Sequence, residues 1–159
     1  MNAPLKLAST LDPDPTADEC EVDYGRACPT IPEGEYQAVF THHETALSFN
    51  TPKVFLWFRI IEPGPYFGMN IYRAYRVRKL KTKPGRNGGF KVASNSDLFL
   101  AVCKVLDERG RPDRFSLQRL KSVVLKISTR TVKRDHRQRD IPEARRYSVV
   151  ETLLRKETG

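Results

Sequence analysis

What this chain has little of narrows its reading before anything else does. It holds three cysteines in 159 residues, none in a Cys-x-x-Cys pair, which excludes a disulfide framework and gives no zinc-ribbon spacing. The longest uninterrupted apolar run, Leu98 to Cys103, is far shorter than the roughly 20 residues that span a bilayer. A phosphate-binding Gly-Lys-Ser/Thr loop, a Gly-x-Ser-x-Gly elbow and a His-Glu-x-x-His pair are all missing. The carboxylates Glu35, Glu44, Glu62, Asp97, Asp107 and Glu108 are scattered rather than grouped at a nuclease-like spacing. His42 and His43 are adjacent, and neighbours on a strand point to opposite faces. The expectation is a protein that is not an enzyme, with no metal site and no cofactor; Cys103 reads as a small core residue. The first ten residues carry one lysine and no apolar stretch of signal length, so the expected compartment is cytoplasmic, without membrane insertion.

What is present is positive charge. Twenty-eight Lys and Arg against nineteen Asp and Glu give +9, and the pI is near 9.7. That balance favours an anionic partner such as nucleic acid, although ribosome-associated and membrane-surface proteins share it. The charge is unevenly placed. Residues 1–30 hold two basic and six acidic residues with four prolines, against twenty-six basic and thirteen acidic in the remainder. We read 1–30 as an acidic, disordered N-terminal segment and 31–159 as one nucleic-acid-binding domain. The leader is either simply solvated or competes intramolecularly for a basic groove. At 39% hydrophobic and 30% charged, the chain has enough apolar residues for a core of its own.

Local patterning predicts mainly strands. Ile31-Pro-Glu-Gly34 is a turn, followed by a strand from Glu35 to His43. Asn50-Thr-Pro52 breaks the chain before a second strand, Lys53 to Glu62, whose Val54, Leu56, Phe58 and Ile60 share one face while Phe55, Trp57, Arg59 and Ile61 share the other. Pro63 to Gly68 is a short link that implies an antiparallel hairpin into a third strand, Met69 to Lys79. Leu80 to Lys91 reads as a loop. Ser94 to Asp97 offers helix caps, with Leu98, Ala101, Val102, Val105 and Leu106 at helical spacing and Gly110 as the stop. Strands around Val123 to Ile127 and from Tyr147 to Leu154 complete the order. Three strands, one helix and two strands are the connectivity of a five-stranded OB-fold barrel with its helix between strands 3 and 4; a split sheet packed on one helix has the same order.

Aromatic residues interleave with arginines on the second and third strands: Phe55, Trp57 and Arg59, then Tyr72, Arg73, Tyr75, Arg76 and Arg78. Flat rings stack unpaired bases and guanidinium groups neutralise phosphates, so this array predicts single-strand binding. The competing reading makes the rings barrel filling and the arginines a solvated exterior. A β-bulge in the third strand would exchange Tyr72 and Arg76 with Arg73 and Tyr75. Two basic loops extend the array. Arg78, Lys79, Lys81, Lys83, Arg86 and Lys91 come with no intervening acid, and the glycines among them suggest a flexible loop. Lys133, Arg134, Arg137 and Arg139, with Arg145 and Arg146, are interspersed with Asp135, Asp140 and Glu143.

Ile31-Pro-Glu-Gly-Glu-Tyr-Gln-Ala-Val39, Gly64-Pro-Tyr-Phe-Gly68, Tyr72-Arg73, the Leu-rich helix and Tyr147-Ser-Val-Val150 together resemble the small single-stranded DNA-binding proteins of bacteriophages and integrated mobile elements. The resemblance runs from about Ile31 to Leu154. It implies an OB-fold core, a role in replication or recombination of the element, and DNA contact through Trp57, Tyr72, Arg73 and Arg76. Many such proteins end in an acidic tail that recruits replication or recombination proteins; here the sequence closes on Leu-Leu-Arg-Lys-Glu-Thr-Gly159 and the acidic segment stands at the other end. An RNA-binding OB-fold protein, or an adaptor or inhibitor module of a mobile element, remains as an alternative. Exposed edges of a small barrel leave a homo-oligomer open.

Overall fold

The computed structural model describes residues 30–108, 110–135 and 137–158, so the acidic leader, with Cys20 and Cys28, lies outside the described residues apart from Thr30. In chain order these residues form β1 (Glu35–Ser48), β2 (Thr51–Ile60), β3 (Asn70–Arg76), β4 (Lys79–Leu80), β5 (Phe90–Lys91), α1 (Asp97–Leu106), β6 (Val124–Val132) and β7 (Tyr147–Thr158). Short 3₁₀ turns occupy Pro112–Arg114, Gln118–Leu120 and Glu143–Arg145. Five strands make one antiparallel sheet in the order β3-β2-β1-β6-β7, and β4 with β5 makes a separate ribbon.

The mainly β class and, among the described residues, the single α-helix between the third and fourth long strands agree with the sequence reading. The closed barrel does not. β3 and β7 are the two edges of the sheet and share no ladder. Closure requires stagger and tilt to agree around the whole ring, and β3, with seven residues, is half the length of β1. The edges nevertheless approach one another, and Arg73 Nη1 on β3 donates to the Glu151 carbonyl on β7.

Alternation along β2 between two buried faces is the organising feature. Val54, Leu56, Phe58 and Ile60 enter the main core with Phe40, Ile71, Leu125, Ile127, Val150 and Leu153. Fully burying a side chain of this size contributes about 1.5–3 kcal/mol relative to leaving it exposed. Leu98, Phe99, Val102, Val105 and Leu106 close that core from α1. Ser96 caps the helix, its hydroxyl accepting from the Phe99 amide at 3.2 Å. The helix stops earlier than Gly110: Asp107 takes the left-handed conformation, φ 55°, and its amide returns to the Lys104 carbonyl. A short polar side chain tolerates that region better than most residues do, so Asp107 takes the place of a glycine cap.

β1 is longer than expected because a bulge between Phe40 and His42 shifts its alternation, hiding the second half of the strand from a period-two reading. Beyond the bulge it pairs with β2 as far as Ser48 opposite Thr51, and the two intervening residues, Phe49 and Asn50, both have positive φ, at 51° and 64°. Left-handed values at both loop positions match the twist of a tight hairpin. At the opposite end of the domain, Ile31 is tied to β7: its amide donates to Ser148 Oγ at 2.9 Å and Ser148 Oγ donates back to its carbonyl at 3.1 Å.

Candidate nucleic-acid interface

The predicted stacking residues do not lie on the surface. Phe55, Trp57 and Tyr72 are 6%, 4% and 3% exposed, and they form a second core with Val132, Tyr147 and Val149. Ile141, from the loop between β6 and β7, packs against that cluster. Trp57 and Tyr72 sit opposite each other across the β2–β3 ladder, with ring centres 5.0 Å apart and tilted 65°. Tyr72 also meets Phe55 at 5.6 Å, and His42 stacks on Trp57 at 6.2 Å. Trp57 is therefore a core residue in this fold, and no base can stack on it without displacing its neighbours. Alternation along β2 is as the sequence implied; the correction is that both of its faces are covered.

Strand β3 pairs without a bulge, so Tyr72 shares the Trp57 side, and Tyr75 enters the main core at 5% exposure. Burial pushes the Tyr75 phenol above its usual value, against the pull of Arg73. The Arg73 guanidinium lies 4.7 Å from the centre of that ring and donates to Glu151 across the seam. Its role here is to hold the sheet edges together. Arg59 and Arg76 are exposed but stand at opposite ends of the β2–β3 ladder.

The first basic segment is built differently from the flexible loop expected. β4 and β5 pair Lys79 with Lys91 and Leu80 with Phe90. The tip of this ribbon then lies along β1: the Thr45 amide donates to Gly85 O at 2.9 Å, the Asn87 amide to His43 O at 2.8 Å, and His43 Nε2 to Gly88 O at 2.8 Å. Gly88 allows the contact, since a Cβ there would meet Thr45 Oγ1 at 2.2 Å and Gly85 O at 3.2 Å. The glycine provides close approach rather than mobility. Arg78, Lys79, Lys81, Lys83, Arg86 and Lys91 are all exposed, and none forms an ion pair among the described residues. No protein family, curated protein or solved structure matches the chain.

The second basic loop is partly self-neutralised. Asp135 accepts from the Arg137 and Arg139 amides, each at 2.9 Å, and from Arg139 Nε at 3.0 Å. Those hydrogen bonds, the Arg139 amide foremost, hold its carboxyl below the usual range. Arg134 pairs with Asp140 at 3.4 Å. Lys133 is exposed beside them. Arg146 Nε donates to the Ile141 carbonyl at 2.9 Å, fastening the segment that carries Ile141 over the aromatic cluster.

One ring escaped the sequence reading. Phe90 is half-buried at the base of the cationic ribbon, edge-on to His43 at 5.5 Å and to Phe115 at 6.1 Å. The available signal was its setting, an aromatic between Gly89 and Lys91 within an acid-free basic run. Among the described residues no three His, Cys, Asp or Glu gather as a metal site, and no helix is long and apolar enough to cross a membrane.

Proposed function

We propose that this protein binds single-stranded DNA with little sequence preference, in replication or recombination of a phage or mobile element, through an electrostatic surface centred on the β4–β5 ribbon. The observation that carries the reading is six exposed, unneutralised cations on a ribbon fastened to the sheet. A fixed array of this kind engages phosphates without first being ordered, and it reads charge rather than base identity. The resemblance of the turn and strand motifs to phage single-strand binders supports the same reading. So does the order of elements, three long strands, a helix and two long strands, an order that OB-folds share. Arg76, two residues before the ribbon, lengthens its positive run, and Arg59 and Lys133 are further exposed cations; Arg134 and Arg139 contribute less, since they pair with Asp140 and Asp135.

The test is fluorescence anisotropy of a labelled dT oligonucleotide against the full chain at several salt concentrations, with duplex DNA and RNA of equal length as competitors. Each phosphate contact on a single strand adds about 0.7 to the log–log salt slope, so engagement of the whole ribbon gives roughly −4. A second reading, a protein-interaction module of a mobile element, is favoured by two observations: the predicted stacking rings are buried, and Leu47 and Phe49 expose apolar surface at the β1–β2 tip. Absence of binding to any nucleic acid at low salt selects it.

A further inference from the structure

Between the β4–β5 ribbon and the 3₁₀ turn after α1 lies a cleft of about 460 Å³, within the range of about 300–1,000 Å³ common for small-ligand sites. Arg78, Lys81 and Lys91 supply three positive groups, and Phe90 and Phe115 supply aromatic surface between them. Asp113 also borders the cleft, but both of its oxygens are taken by Arg111, at 3.2 Å each, so its charge is offset. A second observation points to an anion. Lys91 stands directly opposite Lys79 in the β4–β5 ladder, and like charges facing across a ladder are destabilising. Only Lys91 of the two lines the cleft, and an anion held on it there would relieve the repulsion.

We propose that this cleft seats one nucleotide of a bound strand, the base against Phe90 and Phe115 and a flanking phosphate on Arg78, Lys81 and Lys91. The inference rests on the single-strand reading above and supplies what burial of Trp57 removed, namely an accessible aromatic surface beside unpaired cations. A strand laid along the ribbon would bring one base to the apolar end of the cleft while its neighbours remain in solvent. Contact with a π face is available to every base, so the site is sequence-tolerant.

The experiment uses the full chain in two measurements. Amide NMR shifts are followed during titration with thymidine 5′-monophosphate and, separately, with inorganic phosphate. Labelled dT binding is then compared for wild type, Phe90→Leu, Lys91→Glu and a distant exposed control, Lys156→Glu, each checked for native amide spectra. The expected result is that the nucleotide shifts residues 78, 90, 91 and 115 well before phosphate alone does. Phe90→Leu, which keeps apolar bulk, should weaken oligonucleotide binding roughly five- to hundredfold; Lys91→Glu should weaken it more than Lys156→Glu does. Equal shifts from phosphate and nucleotide, with Phe90→Leu binding as wild type does, would overturn the nucleotide site and leave the ribbon as a plain phosphate track. Failure of wild type to bind the oligonucleotide would defeat the single-strand reading instead, and a silent cleft in the nucleotide titration would then defeat the site as well. Should Phe90→Leu lose its native spectrum, the Lys91→Glu comparison and the titration decide.

Discussion

The aromatic cluster around Trp57 and the cationic ribbon from Arg78 to Lys91 are both dense in the side chains that hold nucleic acid elsewhere, yet one is dry and the other wet. Phe55, Trp57 and Tyr72 are packed among Val132, Tyr147 and Val149. The six ribbon cations stand in solvent on a backbone pinned to β1. Aromatic rings have large apolar areas, and a neighbouring strand or loop that can cover them is stabilised by doing so. Lysines and arginines cannot be buried unpaired without a heavy desolvation cost. The two regions therefore divide the work: the rings of β2 and β3 go to the fold, and the charges of the β4–β5 ribbon go to the surface. A rich mixture of Tyr, Trp and Arg in a strand is evidence of a binding face only when something prevents the rest of the chain from covering it.

This division is broken most strongly by Trp57→Ala. Emptying the second core should destabilise the protein by about 3–5 kcal/mol in urea denaturation, while whatever remains folded binds DNA as before. Loss of binding with unchanged stability would restore Trp57 as a stacking residue. The reciprocal variant, Lys81→Glu, Lys83→Glu and Arg86→Glu together, should leave the denaturation midpoint nearly unmoved and flatten the log–log salt slope by about 2. Gly88→Ala comes next, because the added methyl would press on Thr45 and lift the ribbon from β1; crowding of this kind costs about 1–3 kcal/mol, and loss of protection of the Thr45 and Asn87 amides would report it in hydrogen exchange.

The smallest effect concerns the second basic loop. The carboxyl of Asp135 is held below its ordinary value in the folded protein, so its contribution is present above the usual carboxylate range and is lost as pH falls through the lowered value. Acidification should therefore shift the Arg137 and Arg139 amide resonances below that range, and Asp135→Asn should reproduce part of the change at neutral pH. By releasing Arg139 it should also strengthen DNA binding a few-fold. A larger gain would make the second loop the equal of the ribbon.

How far the sequence could lead follows from the range of the interactions involved. Alternation in β2 and the capped face of α1 are local patterns, and both appear in the structure where they were read. The cover over Trp57 is not local: it comes from Tyr147, Val149 and the loop segment carrying Ile141, about ninety residues downstream, and nothing in residues 53–62 announces it. The seat of the ribbon on β1 was hidden for another reason. His43, Thr45, Gly85 and Gly88 make it with backbone and small polar groups, which leave no hydrophobic period, so Gly88 read as looseness although it serves as a point of closest contact. The ribbon cations are exposed; which of the basic residues are neutralised depends on side-chain pairings such as Arg139 with Asp135.

The clasp between Arg73 and the Glu151 carbonyl has a mechanical meaning. A sheet closed by a ladder has a set circumference, because every hydrogen bond in the ring depends on the stagger of the others. Here the two rims meet through one long side chain and a cushion of packed residues. Parting the rims at that seam would cost the clasp and the packing behind it, but no strand pairing.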